Sequence, residues 1–400
     1  MVYWAGNWCI MENSDMDENP KTKKRGRRRL IGLAGSLISI AILTYIAISL
    51  ITGNQSGLFS FFGLFSGTEP VEVADEYHFD VGRNRVFADL GGSLTAAGTL
   101  GIQVLDAAGN ETLRDSFRMV YPALSAVGGY AIAFDIGGTS VRVYDKADMI
   151  ASFETSGVIV SASINKNGWF SVCTHGDGTS TGVITAYNNK GRETYRVFLT
   201  TGYALSAILS PDNKSIAILN LTEGGSRITY YNLNSVEADR VFDLPGGLII
   251  DIRFLENGDM LVISTESLFV ANKKNEIKEL YDFSGKHLSS YSLDGGYLML
   301  YLLDSGVGYR GRLVTMNEDG SIIGEIETNK ETISISAGVD YLAVLRNDRM
   351  VIYSSELEEL EVSGKSANAV GAVNALAIGG GAAIAAGDHS AVVVRTVGNE

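Results

Sequence analysis

Four histidines are the first residues to weigh for metal or acid–base chemistry, and they fall at His78, His175, His287 and His389. No HxH or HExxH pair occurs among them, and those are the spacings that set two imidazoles side by side on one zinc ion. A metal site would have to be assembled from distant segments, and none is assigned. Cys173 lies within an alternating apolar run and reads as a small buried residue rather than a nucleophile. No G-x-S-x-G elbow is present, and no Ser-His-Asp set can be assembled. Carboxylates such as Asp348 and Asp388 stand in short polar stretches that read as solvated hairpin tips. The expectation is a protein without catalytic residues, metal or cofactor.

Two glycine-rich stretches invite a closer look. Phe134-Asp135-Ile136-Gly137-Gly138-Thr139-Ser140-Val141-Arg142 could bring backbone N–H groups to a phosphate, with Asp135 handling a metal. It resembles the DxGGT hairpin of sugar kinases, but that hairpin opens an α/β domain with helices, and no such pattern follows here. His175-Gly176-Asp177-Gly178-Thr179 resembles the Asp-box hairpin of sialidases without its final tryptophan. A sialidase would need an arginine cluster and a nucleophilic tyrosine; Tyr309, Arg310 and Arg312 are close in sequence, yet they too lie in a loop-like run. Stretches of the same kind recur as TEGGSR at 222–227 and DSGVGYRGR at 304–312. All four read as turns between the second and third strands of a repeated unit. Such turns share a face with the loops that join the units, and rigidly held loops are where binding residues concentrate. This face, with His175, Asp177, Glu223, Arg227, Asp304, Tyr309, Arg310 and Arg349, is the expected ligand-binding site.

The elements that would position these turns are short alternating strands, not long amphipathic helices. From about Glu72 onward, strands such as Tyr130–Ile136, Ser140–Tyr144 and Met149–Glu154 come in groups of four. The turn between the first two strands of each group falls near Gly92, Gly129, Gly168, Asn213, Gly258, Gly295, Asp340 and Gly380, at intervals of 37 to 45 residues. A four-stranded unit of about 40–45 residues is the signature of a propeller blade. The predicted fold is all-β, an eight-bladed β-propeller, with seven blades open because the stretch Leu90–Phe117 is the least regular. The last unit, about Ala369–Arg395, holds three strands, and one strand at about Glu76–Val81 precedes the first. Pairing them would close the ring and hide two edges. The 46 glycines suit a fold of many hairpins, and the five prolines suit one that needs its ladder donors.

Placement is written near the N-terminus. Seven Lys/Arg lie between Lys21 and Arg29, and then Leu30–Thr52 carries 23 residues without a charge. A helix of that length rises about 34 Å at about 1.5 Å per residue, enough for a hydrocarbon core of about 30 Å. The basic residues on one side predict a cytoplasmic N-terminus and an extracytoplasmic remainder. Cleavage as a signal peptide and a start at Met11 stay open. The expected organisation is therefore a basic cytoplasmic tail (1–29), a transmembrane signal-anchor helix (30–52), a juxtamembrane Phe/Gly linker (53–71) and the propeller (72–400). The net charge of −14 divides into about +3 before the span and about −17 after it. The acidic ring argues against nucleic acid, while the basic tail suits anionic lipid.

Ser210-Pro211-Asp212-Asn213-Lys214-Ser215-Ile216-Ala217 resembles the SPDGKxIA hairpin of WD40-like and TolB-like propellers, and Leu255-Glu256-Asn257-Gly258-Asp259-Met260-Leu261 is similar. Over about residues 20–400 the chain resembles the membrane-anchored WD40-like or PQQ-like propeller proteins of Gram-positive bacteria, a domain family of unknown function. No Trp-Asp dipeptide closes a blade, and Trp169 is the single tryptophan of the ring. The expectation is a non-enzymatic, membrane-tethered scaffold for a protein or cell-envelope ligand. The alternative is an envelope enzyme, a glycan hydrolase or cofactor-dependent dehydrogenase, with its site at the propeller centre. A third reading is a sensor reporting through the basic tail.

Overall fold

The computed structural model describes residues 76–146, 148–243, 248–274, 276–293, 296–339, 341–362, 371–378 and 382–396. The expected tail, span and linker lie outside the described residues. No helix among the described residues is long and apolar enough to cross a membrane.

The described chain is strands throughout, starting with β1 (Glu76–His78). Blade I is β2 (Val86–Asp89), β3 (Leu94–Gly98), β4 (Gly101–Leu105) and β5 (Glu111–Ser116). Blade II is β6 (Pro122–Val127), β7 (Tyr130–Asp135), β8 (Ser140–Asp145) and β9 (Met149–Glu154). Blade III is β10 (Ile159–Ile164), β11 (Phe170–His175), β12 (Gly182–Tyr187) and β13 (Glu193–Leu199). Blade IV is β14 (Tyr203–Leu209), β15 (Ser215–Thr222), β16 (Gly225–Asn232) and β17 (Ala238–Asp243). Blade V is β18 (Ile249–Phe254), β19 (Met260–Ser264), β20 (Ser267–Ala271) and β21 (Ile277–Asp282). Blade VI is β22 (His287–Ser292), β23 (Leu298–Leu303), β24 (Gly311–Met316) and β25 (Ile322–Thr328). Blade VII is β26 (Thr332–Ala337), β27 (Leu342–Arg346) and β28 (Met350–Tyr353), and blade VIII opens with β29 (Asn374–Ile378), β30 (Ala382–Ala386) and β31 (Ser390–Arg395).

Each sheet is an antiparallel meander, and β1 completes blade VIII as its outer strand. Tyr77 pairs with Ala391 and His78 with Ser390, so both ends of the described chain share one blade. The ring thus has eight blades, and the stretch Leu90–Phe117 forms a complete one. The irregular blade is VII instead, with three strands among the described residues. Its sequence SELEELEV after β28 mixes apolar and charged residues like an outer strand. However, Leu357 takes φ +65° and buries into the cluster between blades VI and VII, which turns the chain out of strand geometry.

Sequence pattern follows position in the blade. The second strand is covered by neighbouring blades on both sides, so it reads as an apolar run: LMLYLL in β23 and AAIAA in β30 are buried almost throughout. Outer strands such as β5 and β9 alternate with solvent. Every adjacent pair of blades shares its own apolar cluster, for example Tyr230, Phe242, Met260 and Phe269 between IV and V. Polar latches reach across the seams to the first strand of the next blade. Ser163 and Ser171 both donate to Ala207 O at 2.6 Å, while Ser334 Oγ and Ser336 Oγ accept the N–H of Ala375 and Ala377 at 3.2 and 3.0 Å. They satisfy backbone groups on the open inner edge of each sheet.

Turns between first and second strands need one residue at positive φ. Gly168 (+75°) and Gly258 (+82°) supply it in blades III and V, and Asn213 (+57°) supplies it in blade IV. Asn213 adds something glycine lacks: its Oδ1 accepts from Asn165 Nδ2 of blade III at 2.7 Å. Replacing it tests both roles. Asn213→Gly should lose the bond alone, about 1 kcal/mol. Asn213→Val should lose it and add left-handed strain of about 1–2 kcal/mol, read as separate shifts of the denaturant midpoint.

Candidate binding face

The meander fixes two faces. The upper face carries the turns between second and third strands together with the loops joining one blade to the next. The lower face carries the other two sets of turns. All eight residues singled out from sequence lie at upper-face turns. They divide between blades III and IV (His175, Asp177, Glu223, Arg227) and blades VI and VII (Asp304, Tyr309, Arg310, Arg349), with blade V between.

Most of them are engaged within their own blade. Arg227 Nε and Nη2 grip the Asp243 carboxylate at 2.7 and 2.9 Å, holding its carboxyl below the ordinary range. Asp304 pairs with Lys286 at 2.7 Å and Arg310 at 3.3 Å, and the Lys286 ammonium lowers it first. The Tyr309 phenol is pushed up by its hydrogen bond to Glu331. Arg349 reaches Glu359 at 3.3 Å. Asp177 Oδ1 accepts from the N–H and hydroxyl of Thr179 at 3.1 and 2.6 Å, a local turn bond that lowers its carboxyl. His175 and Glu223 are exposed at their turns. These residues form a discontinuous polar rim and do not converge on one ligand atom.

The glycine-rich stretches resolve in the same way. Asp135 Oδ1 accepts the N–H groups of Val120 and Tyr121 at 2.8 and 2.7 Å, so the carboxylate braces a loop. Arg312 is bonded to Glu325, and Asp388 to Arg85 at 2.8 Å. Cys173 is buried, which pushes its thiol up to about 12. No group of three or more His, Cys, Asp or Glu among the described residues could hold a metal ion.

What the sequence did not single out is apolar. On the upper face, an exposed apolar residue precedes, begins or stands second in the inner strand of six blades: Tyr121, Val158, Tyr203, Leu248, Ile333 and Val373. Inner strands surround the ring axis, so these side chains form a collar around the upper opening, with the polar turns outside it. An apolar centre with a polar rim is the anatomy of a protein-binding surface. Nothing in the sequence separates these residues from core positions, because an apolar residue at a strand start looks the same whether its neighbours cover it or not.

The lower face has a different character. A cavity of about 300 Å³ opens there, lined by Ile208 and Pro211 of blade IV, Arg253, Phe254 and Glu256 of blade V, and Asn165 and Lys166 of blade III. Lys166 forms an ion pair with Glu256 across blade IV, strapping its mouth. Asn165 is spent on the turns of blades III and IV: its Nδ2 donates to Ser210 O at 3.2 Å and its Oδ1 accepts from Trp169 N at 3.1 Å. Charged groups do meet here, as the enzyme alternative would require, but Lys166 and Glu256 are already bonded to each other.

Comparison with known proteins agrees on the architecture. The chain is similar in structure to BamB from Moraxella catarrhalis, at 12% identity over 82% of this chain and 100% of that one, with a TM-score of 0.50. It is also similar to the β-propeller domain of Cps50 (Swd1) from Myceliophteria thermophila, at 13% identity over 71% and 99% with a TM-score of 0.49. Hydrazine synthase from Kuenenia stuttgartiensis follows at 12%, 73%, 99% and 0.48. At such identities the likeness is one of fold. No curated protein matches the sequence. A family model, described as a family of unknown function, matches residues 67–373.

Proposed function

Since the chain belongs to that family of unknown function, DUF5711, we propose from its own surfaces that it is a binding scaffold: an eight-bladed ring that holds a protein partner on its upper face and acts by binding rather than by chemistry. The observation that carries this is the apolar collar around the upper opening. The sheets already hold the backbone of these strand ends, so little backbone entropy is lost when a partner covers them. His175, Asp177, Glu223, Arg227, Asp304, Tyr309, Arg310 and Arg349 supply the polar surround, where charge sets partner choice and encounter rate more than affinity.

The sequence adds a place. The uncharged run Leu30–Thr52 behind seven basic residues supports a membrane-tethered scaffold with the ring outside the cytoplasm. Two measurements in intact cells test the two parts separately. For the tether, the full chain should sediment with membranes and its ring should be open to protease from outside, while a chain starting at residue 53 should not sediment. For binding, Tyr203→Ser with Leu248→Ser should abolish cross-linked complexes without lowering the unfolding midpoint, because both side chains are already exposed. Complexes that persist in that variant would overturn the collar as the binding surface.

A further inference from the structure

One sector of the upper face differs from the rest of the collar. Leu100 of blade I, Val120 and Tyr121 of the loop into blade II, Ile136 of the next turn and Val158 of the loop into blade III are all exposed, Val120 and Tyr121 each by 63%. A chain of hydrogen bonds ties their backbones together. Met119 N donates to Thr99 O at 3.3 Å, Ile136 N to Tyr121 O at 2.9 Å, and Gly137 N to Ile159 O at 2.9 Å. Asn84 Nδ2 donates to Val120 O at 3.1 Å. The Asp135 carboxylate, only 7% exposed, spends Oδ1 on the N–H groups of Val120 and Tyr121. A nearly buried carboxylate thus fixes the backbone of two residues whose side chains face water. Fixed aromatic anchors ringed by aliphatic contacts are what binding hot spots are made of.

The charges beside the patch are as distinctive. Arg83 and Arg118 lie in the two loops that frame it, both exposed and neither in an ion pair among the described residues. The chain beyond the uncharged run carries a balance of about −17, so two exposed arginines outside any ion pair among the described residues, set beside this tied apolar sector, stand against the general field. An anionic membrane fits this less well, since the acidic ring repels it and two cations are few for lipid binding.

Resting on the reading of the upper face as a protein-binding surface, we propose that this sector docks an acidic segment of a partner protein that carries apolar side chains, with Tyr121 as the anchor and Arg83 and Arg118 choosing the charge.

The test uses the full chain and three short fluorescein-labelled peptides read by anisotropy. One alternates glutamate with leucine and phenylalanine, one has lysine for glutamate, and one has serine for the apolar residues. The expected result is preference for the first. Tyr121→Ala should weaken it about tenfold or more, and Arg83→Glu with Arg118→Glu should turn the preference to the lysine peptide. Those residues are exposed, so the unfolding midpoint should hold in each variant. Val236→Ala, at an exposed turn of the lower face, should leave the affinity as it is. The proposal is overturned if the three peptides bind alike, or if neither variant changes the order. If Tyr203→Ala weakens binding and Tyr121→Ala does not, the collar stands and this sector falls; if no collar substitution matters, both fall. Tyr121-dependent binding to phosphatidylglycerol vesicles in place of the peptide would also overturn it, in favour of a membrane.

Discussion

Tyr77→Ala should be among the most destabilising single substitutions in the ring, at about 3–5 kcal/mol. The side chain is fully buried, packs with Phe79, Phe87 and Ile384 in the cluster between blades VIII and I, and donates its hydroxyl to Ala107 O of blade I at 3.3 Å. Burial raises its phenol pKa above the ordinary value, so it is a neutral donor at physiological pH. The larger reason is topological. β1 has three residues and is the only strand that carries the N-terminal side of the described chain into blade VIII. Removing its one buried side chain leaves a short ladder with little apolar area behind it. The expected signature goes beyond a lower midpoint: amides of β31 and β2 should exchange faster than those of β15 or β19, because the seam opens locally before the ring unfolds. Tyr77→Phe, which keeps the packing and loses one bond, should cost about 1 kcal/mol.

Phe170→Ala should cost a similar amount, about 3–5 kcal/mol, with a different signature. Phe170 is fully buried between blades II and III, with its ring centroid 4.8 Å from Tyr187 and 6.3 Å from Phe153. It stands on the second strand of a complete four-stranded blade, so no closing strand is released. The cavity it leaves should lower the global midpoint while the exchange pattern along the ring stays in its original order. Equal exchange patterns for the two variants would contradict the role given to β1.

These two residues also show what could be read from sequence. The blade count followed from turn chemistry: a first hairpin must place one residue at positive φ, and Gly168, Asn213 and Gly258 mark those points at blade spacing. Closure followed from counting three strands at one end and one at the other. Blade VII escaped because Leu357, flanked by glutamates like an outer-strand residue, sits in a turn at positive φ that carries it into the core. For the binding face, polar glycine-rich turns such as that of Asp177 were legible because water-facing turns have a composition of their own. The collar was not. Tyr121 and Tyr203 stand at strand starts like many core residues, and only the assembled ring shows which strand starts lack a neighbour to cover them. Asp135 was visible as part of a phosphate-loop pattern; its bracing of Val120 and Tyr121 needed the neighbouring loop in place.

The central claim is that one face of the ring binds. A photo-reactive residue placed in the full chain at Tyr203 or Leu248 on the upper face, and separately at Val339 on the lower face, tests it in intact cells. All three positions are exposed. The same partner should be captured from both upper positions and not from Val339. Capture from Val339 with none from Tyr203 or Leu248 would contradict the account and move the site to the lower cavity.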